Sequence, residues 1–336
     1  MRVALETLLS ERDWLLADGA TGTNLFNMGL ASGDAPELWN VEAPEKIRAL
    51  YDGAVGAGSD LFLTNSFGAN ASRLKLHDAQ GRVHELNKAA AEIAREAADA
   101  SGRKVVVAGS MGPTGEIMAP LGPLTIDAAA EMFEAQARGL LDGGADVLWV
   151  ETISAPDELR AAAEGIGRTG APWCCTMSFD TAGRTMMGLT AAAMVKLVEE
   201  LPHKPLAFGA NCGVGASDLL RTVLGFSAAN PNLPIIAKGN AGIPKFVEGH
   251  IHYDGTPELM ADYAVMARNC GATIIGGCCG TTPEHLVAMR AALEKMGGKG
   301  DAPELTEIAE KLGGFSSDSD GSSDAPQRPA RRRRRG

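Results

Sequence analysis

Eight short apolar runs, evenly spread along the chain, constrain the fold more than any other feature. They lie at Trp14–Ala17, Leu61–Leu63, Val105–Ala108, Val147–Val150, Trp173–Met177, Leu206–Phe208, Ile235–Ala237 and Thr273–Ile275. Between them run stretches whose apolar residues recur every three or four positions, such as Ile47/Leu50/Tyr51/Val55, Met132/Phe133/Ala137/Leu140 and Leu259/Tyr263/Met266. That spacing predicts helices, and strand-then-helix alternation implies parallel strands joined by right-handed crossovers. Eight units within about 300 residues predict an α/β fold, the (β/α)8 TIM barrel, with a doubly wound open sheet as the competing arrangement. With 336 residues, 45% of them hydrophobic, one domain of this size can bury a large core.

Each run gives way to polar, acidic or glycine-rich residues. The segments are Asp18-Gly-Ala-Thr-Gly-Thr, Thr64-Asn-Ser-Phe-Gly-Ala-Asn, Gly109-Ser-Met-Gly-Pro-Thr-Gly, Glu151-Thr, Ser178-Phe-Asp, Asn211-Cys-Gly, Lys238-Gly-Asn-Ala-Gly and Cys278-Cys-Gly-Thr. In a barrel these would crowd one rim, the carboxyl ends of the strands, where such folds place their chemistry. Three cysteines fall there: Cys212 after the sixth run, and Cys278 with Cys279 after the eighth. Flanking glycines let the backbone turn sharply, so neighbouring thiols can aim at one point. Three converging thiolates suit Zn2+ with a fourth position open, and an open thiolate zinc is fitted to activating a thiol substrate. Buried free thiols and disulfides are the competing readings; no signal-peptide pattern opens the chain, so reduced thiols and a cytoplasmic location are expected. Cys174 and Cys175 read as strand filler and Cys270 as a core residue at a helix end. His250 and His252 have the spacing of a metal pair but read as histidines of a surface loop.

Charge divides the chain. The net charge is −11, yet from Ser316 onward there are six arginines and three aspartates, net +3, which leaves −14 for the rest. The acidic body argues against general nucleic-acid binding, and no apolar run approaches membrane-spanning length. The Ser/Asp-rich and then Arg-rich tail holds nothing larger than alanine or proline to bury and is expected to be disordered. The expected domains are therefore 1–296, the barrel, and 297–336, a transition leading into the tail. Oligomeric state is not readable, since exposed helix faces suit a monomer or a homo-oligomer alike.

The ordered segments Asp18-Gly-Ala-Thr-Gly-Thr, Thr64-Asn-Ser-Phe-Gly-Ala-Asn, Gly112-Pro-Thr-Gly, Glu151-Thr-Ile, Asn211-Cys-Gly and Gly276-Gly-Cys-Cys-Gly-Thr resemble the homocysteine S-methyltransferase family, from about Trp14 to Leu293. The family includes betaine–homocysteine methyltransferase and the homocysteine module of cobalamin-dependent methionine synthase. The resemblance implies a zinc-dependent methyltransferase that converts homocysteine to methionine, with Cys212, Cys278 and Cys279 as zinc ligands. It also points to Asp18 and Glu151 for the substrate ammonium, in line with their rim positions. The substrate carboxylate is assigned to the backbone N–H groups of Gly19 and Ala20, and Ser110, Thr64 and Asn65 are expected to line the pocket. Betaine requires an aromatic cage. Where betaine enzymes carry tyrosines, after the phenylalanine of the second motif and the glutamate of the fourth, this chain has Gly68 and Thr152, leaving Trp39, Phe67 and Trp173 as cage candidates. The expected donor is thus methylcobalamin on a partner protein, with betaine as the alternative and S-methylmethionine or S-adenosylmethionine as a third route. A non-catalytic zinc-binding or interaction protein is the reading from another class. For Lys238 the sequence leaves open a carboxylate partner or a structural role.

Overall fold

The structure, a computed structural model, describes residues 2–243, 245–247 and 250–322. Among the described residues there are ten strands: β1 (Leu15–Leu16), β2 (Leu61–Leu63), β3 (Val106–Met111), β4 (Val147–Ile153), β5 (Trp173–Met177), β6 (Ala207–Cys212), β7 (Ile235–Gly239), β8 (Lys245–Val247), β9 (His250–His252) and β10 (Ala272–Gly277). Eight of them form one all-parallel sheet in the order β1-β10-β7-β6-β5-β4-β3-β2, with helices between successive strands. This is the expected (β/α)8 barrel, every expected run contributing one strand. β8 and β9 are an addition. They pair antiparallel, Val247 opposite His250, so the segment read as a loop is a hairpin.

The two sheet ends, β1 and β2, are joined by one backbone bond and by aspartate side chains instead of a regular ladder. Asp60 N donates to Leu16 O at 2.7 Å and Leu16 N donates back to Asp60 Oδ2 at 2.9 Å. Further up, Leu63 N donates to Asp18 Oδ2 at 2.9 Å. The fully buried Asp60 is tolerated because guanidinium groups of Arg12 and Arg290 reach it from outside the ring.

Strand alternation splits the core into two layers. Leu15, Leu61, Val106, Val147, Trp149, Cys174, Ala207, Ile236 and Ile274 pack in the barrel interior. Leu16, Phe62, Val107, Leu148, Cys175, Phe208, Ala237 and Ile275 face the helices. Cys174 and Cys175 therefore point to opposite layers, both fully buried, as filler. Cys270, at the end of the helix Pro257–Cys270, is buried too. Trp173 is fully buried in the outer layer, stacked on His203 at 6.4 Å, far too enclosed to belong to a rim cage.

Beyond the barrel, the helix Leu305–Leu312 buries Ile308 and Leu312. The chain then crosses the helix Ala216–Ala228. Ser217 Oγ donates to Gly313 O at 2.6 Å, Ser316 N donates to Asp218 Oδ2 at 3.0 Å, and Arg221 Nη1 donates to Ser317 O at 2.7 Å. Arg221 also covers the Phe315 ring at 4.5 Å. Residues 305–322 thus pack on the barrel as a strap, although the sequence places them in a transition and the start of a tail. Residues 323–336, which carry all the tail arginines, lie outside the described residues. Among the described residues no helix is long and apolar enough to cross a membrane.

Candidate metal centre and substrate pocket

β6 ends at Cys212, and β10 ends at Gly277, one residue before Cys278. β7 lies between them, its Gly239 in register with both Cys212 and Gly277. Beyond β7 the backbone staples the two thiol-bearing turns together. Cys278 N donates to Gly239 O at 2.7 Å and Ala241 N donates to Cys279 O at 2.9 Å. Asn240 bridges them, its Oδ1 accepting from Cys279 N and its Nδ2 donating to Gly213 O, both at 3.1 Å. Two backbone features aim the sulfurs. Cys212 has φ +60°, followed by Gly213 at +71°, a conformation that costs a non-glycine residue energy and swings its side chain out of strand alternation. At Gly277 a Cβ would collide with the Thr281 side chain, so only glycine lets the turn fold back this tightly.

The result is convergence. Cys212 Sγ lies 3.3 Å from Cys278 Sγ and 3.5 Å from Cys279 Sγ, all three half-buried and within 4.8 Å of one another. Tetrahedral Zn–S bonds of about 2.3 Å set sulfurs about 3.8 Å apart, so the triangle fits the ion in donor type, number and spacing. Packed this closely, the thiols share protons: hydrogen bonds with Cys212 and Cys278 pull Cys279 far down, while its bonds to the other two thiols push Cys212 up. The Tyr253 hydroxyl also hydrogen-bonds to Cys279, and its ring lies against Gly280.

A second cluster stands beside the thiols. Lys238 Nζ donates to Asp18 Oδ1 at 2.6 Å, with both side chains nearly sealed from water. Burial alone would draw the Lys238 ammonium down, but Asp18 and Glu151 outweigh it and hold the group charged. Burial likewise pushes Asp18 up, against the pull of Lys238. Glu151 is raised to about 7, by loss of water first, with Lys238 opposing and the Cys278 charge adding to the rise. Ser110 Oγ donates to Glu151 Oε1 at 2.5 Å. The β4–β5 pairing slips between Val150 and Ile153, and Thr152 takes φ +62°. This bulge re-aims the end of β4 and lifts Glu151 out of the packed interior, a common use of bulges beside active sites.

Asn211 ties the two clusters together. Its Oδ1 accepts from Thr152 N at 2.9 Å and Thr176 Oγ1 at 2.7 Å, and its Nδ2 donates to Thr152 Oγ1 at 2.8 Å. The same amide reaches Cys278 Sγ at 3.7 Å.

The structure therefore gathers Cys212, Cys278, Cys279, Asp18, Glu151 and Ser110 at one end of the barrel. Other expected roles change. Asp18 accepts from Lys238 Nζ on one carboxylate oxygen and from Leu63 N on the other, so it is already an internal partner, with a further acceptor position left on each oxygen. Ala20 N–H is committed to Thr281 O at 3.1 Å, which removes it as a carboxylate donor. Gly19 and Ala20 border a small space of about 20 Å3 that is lined by Asp18, Thr21 and Asn24 and by Leu50, Tyr51, Phe62 and Leu286, and that includes neither the thiols nor Glu151. Thr64 is buried, its Oγ1 hydrogen-bonded to Ser66 Oγ and accepting from Ser110 N at 2.9 Å, so it steadies the pocket from behind. Asn65 spends its amide on Pro36 O and Asn40 Oδ1 and does not line the pocket. Phe67 packs against Gly112 and Arg73, and Trp39 under Lys46. Sequence patterns did not single out Asn240, Tyr253 or the role of Asn211. The only available signal was that Asn211 and Asn240 adjoin a cysteine and a glycine at strand ends.

The homocysteine S-methyltransferase family model matches residues 15–293, and the chain belongs to that family. It is 32% identical over 302 residues to methionine synthase of Mycobacterium tuberculosis and 30% identical over 307 residues to that of Mycobacterium leprae. These alignments cover 85% and 87% of this chain but 25% of each relative, so the chain spans about a quarter of the length of the curated relatives it matches. Among solved structures it is similar to the metallated form of the homocysteine methyltransferase MmuM from Escherichia coli. The TM-score is 0.71 at 28% identity, covering 85% of this chain and 99% of that one.

Proposed function

We propose that this chain methylates homocysteine to methionine at a zinc ion held by Cys212, Cys278 and Cys279, with methylcobalamin carried on a second protein module as the donor. The observation that carries the reading is the convergence of three half-buried sulfurs beside a carboxylate, Glu151, kept partly out of water. When bound, zinc would hold the substrate's thiol as thiolate near neutral pH, which an unassisted thiol is not.

The chain's own residues do the positioning. Glu151 accepts the substrate ammonium, oriented by Ser110 Oγ. Gly19, which follows Asp18 beyond the end of β1, offers its N–H to the substrate carboxylate. Lys238 neutralises Asp18 and offsets the negative charge of Glu151 and the thiolates, so that an anionic cluster can persist in a poorly hydrated place. Asn211 fixes the Glu151–Thr152 bulge relative to Cys278, and so the ammonium site relative to the sulfur. Transfer is an in-line displacement. The S–CH3 bond forms from a sulfur lone pair while the donor–CH3 bond breaks, its electron pair staying with the donor. Positioning dominates such a step, and no general base is required.

Gly68 and Thr152 in place of tyrosines, together with the burial of Trp173, support a donor other than betaine. The Lys238–Asp18–Glu151 cluster supports an enzyme over a zinc store, which would have no use for it. Six unpaired cysteines suit a reducing compartment, the cytoplasm. The test is to mix the zinc-loaded protein with homocysteine and, separately, methylcobalamin, betaine or S-methylmethionine, and to measure methionine. Methionine from methylcobalamin is expected; methionine from betaine alone would contradict the donor assignment.

A further inference from the structure

With a substrate sulfur added to Cys212, Cys278 and Cys279, the centre presents four chemically similar thiolates to a methyl donor. Only one of them should react, because an S-methylated cysteine is a neutral and poor ligand for zinc. The structure treats the protein's sulfurs unequally. A hydrogen bond to a thiolate stabilises its charge and lowers its nucleophilicity. Cys278 Sγ accepts from Asn211 Nδ2 at 3.7 Å, and Cys279 Sγ accepts from the Tyr253 hydroxyl. For Cys212 Sγ, the hydrogen-bond partners among the described residues are the other two sulfurs.

Tyr253 is seated by a specific set of contacts. Gly280, with φ +79°, follows Cys279, and a Cβ there would overlap the Tyr253 side chain, so glycine lets the tyrosine lie directly on the thiol turn. Gly255 N donates to Ala241 O and Ala241 N donates to Cys279 O, both at 2.9 Å. On the other side, His285 Nε2 donates to Gly255 O at 2.8 Å. His285 Nδ1 accepts from Thr282 N at 3.0 Å, which leaves the ring proton on Nε2 for that bond. His285 is buried in the first turn of the helix Pro283–Lys295, which begins just after the thiol turn. The segment from Tyr253 to Gly255 is thus fixed on both sides to the backbone that carries Cys279, and the tyrosine keeps its place over that sulfur.

We propose that Tyr253, latched by His285 through Gly255, is a specificity-determining residue: it keeps the Cys279 sulfur hydrogen-bonded and poorly nucleophilic, so that the methyl group goes to the substrate sulfur. The inference rests on the zinc and homocysteine reading above and adds how one sulfur among four is chosen. Asn211 acts on Cys278 in the same sense, through the amide that also holds Thr152. Such partners around a ligand set tune the ligands as well as orient them.

The probe is methyl iodide, added to the zinc-loaded full-length protein without homocysteine. Attack by a cysteine sulfur forms an S–CH3 bond while the C–I bond breaks and iodide leaves with the electron pair. Zinc is measured by elemental analysis beforehand, and S-methylation of each cysteine is followed over time by tandem mass spectrometry of peptides. In the wild-type protein, methylation among the three is expected first at Cys212. Y253F, which deletes the hydroxyl and keeps the ring, should speed methylation of Cys279 about threefold to tenfold and leave the Cys212 rate unchanged. A merely structural role would raise both rates together. H285E keeps the helix cap but cannot donate to Gly255 O, and should also expose Cys279. H285Q, which can both accept and donate, should stay near wild type. The inference is overturned by an unchanged Cys279 rate in Y253F, by equal rises at Cys212 and Cys279, or by wild-type methylation falling first on Cys279. It is likewise overturned by an H285E rate at Cys279 no higher than that of H285Q, or by a Y253F protein that holds less zinc than wild type, since Tyr253 would then be only a prop for the metal site. A wild-type protein that takes up no zinc overturns the functional reading itself, and the inference with it.

Discussion

Replacing Lys238 by methionine keeps most of the side-chain volume and removes one charge from a pair whose members are 3% and 8% exposed and 2.6 Å apart. Removing one partner of a buried ion pair costs about 3–5 kcal/mol, because the survivor stays buried and uncompensated. Asp18 has one escape, which is to take up a proton. That costs about 1.4 kcal/mol for each pH unit above its unfolded pKa near 3.8, hence about 1.6 kcal/mol at pH 5 and about 5.7 at pH 8. The smaller of the two costs applies at each pH, so the expected loss is about 2 kcal/mol at pH 5 and about 4 at pH 8. The sign comes from linkage: in the variant the folded-state pKa of Asp18 is raised, so the penalty vanishes below the unfolded pKa and grows as pH rises toward the folded one. Urea unfolding of the EDTA-treated proteins at the two pH values measures this without interference from metal binding. K238M/D18N should recover most of the loss at pH 8. Equal losses at pH 5 and pH 8, or a double variant no more stable than K238M, would refute the reasoning.

C278S should retain little zinc by elemental analysis, whereas C174A, which alters only the barrel interior, should keep the wild-type complement; equal zinc in both would break the ligand assignment. E151Q should weaken homocysteine binding in calorimetry by roughly 10–100-fold, the worth of a charged hydrogen bond, with zinc content unchanged. In the zinc-free protein Glu151 titrates near 7 and must be ionised to hold an ammonium, so affinity should fall about tenfold per pH unit below 7 and lose that dependence in E151Q. A Glu151 carboxyl carbon that titrates below pH 5 by NMR would count against this.

The barrel was legible because its signals are local. An apolar run with a polar stop marks a strand with a functional end, and eight in series leave few alternatives. The thiol site was legible for the same reason, since Cys212 and Cys278–Cys279 mark two of those ends, and the topology brings β6 and β10 to either side of β7. The hidden features are long-range or conformational. Lys238 meets Asp18 across 220 residues, a pairing that gives the rim carboxylate a buried cation as its partner. The bulge at Glu151–Thr152 and the left-handed Cys212 are backbone events that residue types alone do not announce. Ala20 and Asn65 carry the right chemistry for a pocket, but Thr281, Pro36 and Asn40 claim their polar groups first. The strap was hidden by its composition: Ser316 and Ser317 bind through backbone groups to Asp218 and Arg221, which no apolar pattern records.

The central claim is that Cys212, Cys278 and Cys279 together present a three-sulfur site with room for a sulfur from the substrate. X-ray absorption at the zinc edge, on the zinc-loaded protein before and after adding homocysteine, tests it most directly. The account predicts three sulfur neighbours rising to four. Two sulfurs before addition, or a count that homocysteine leaves unchanged, would contradict it.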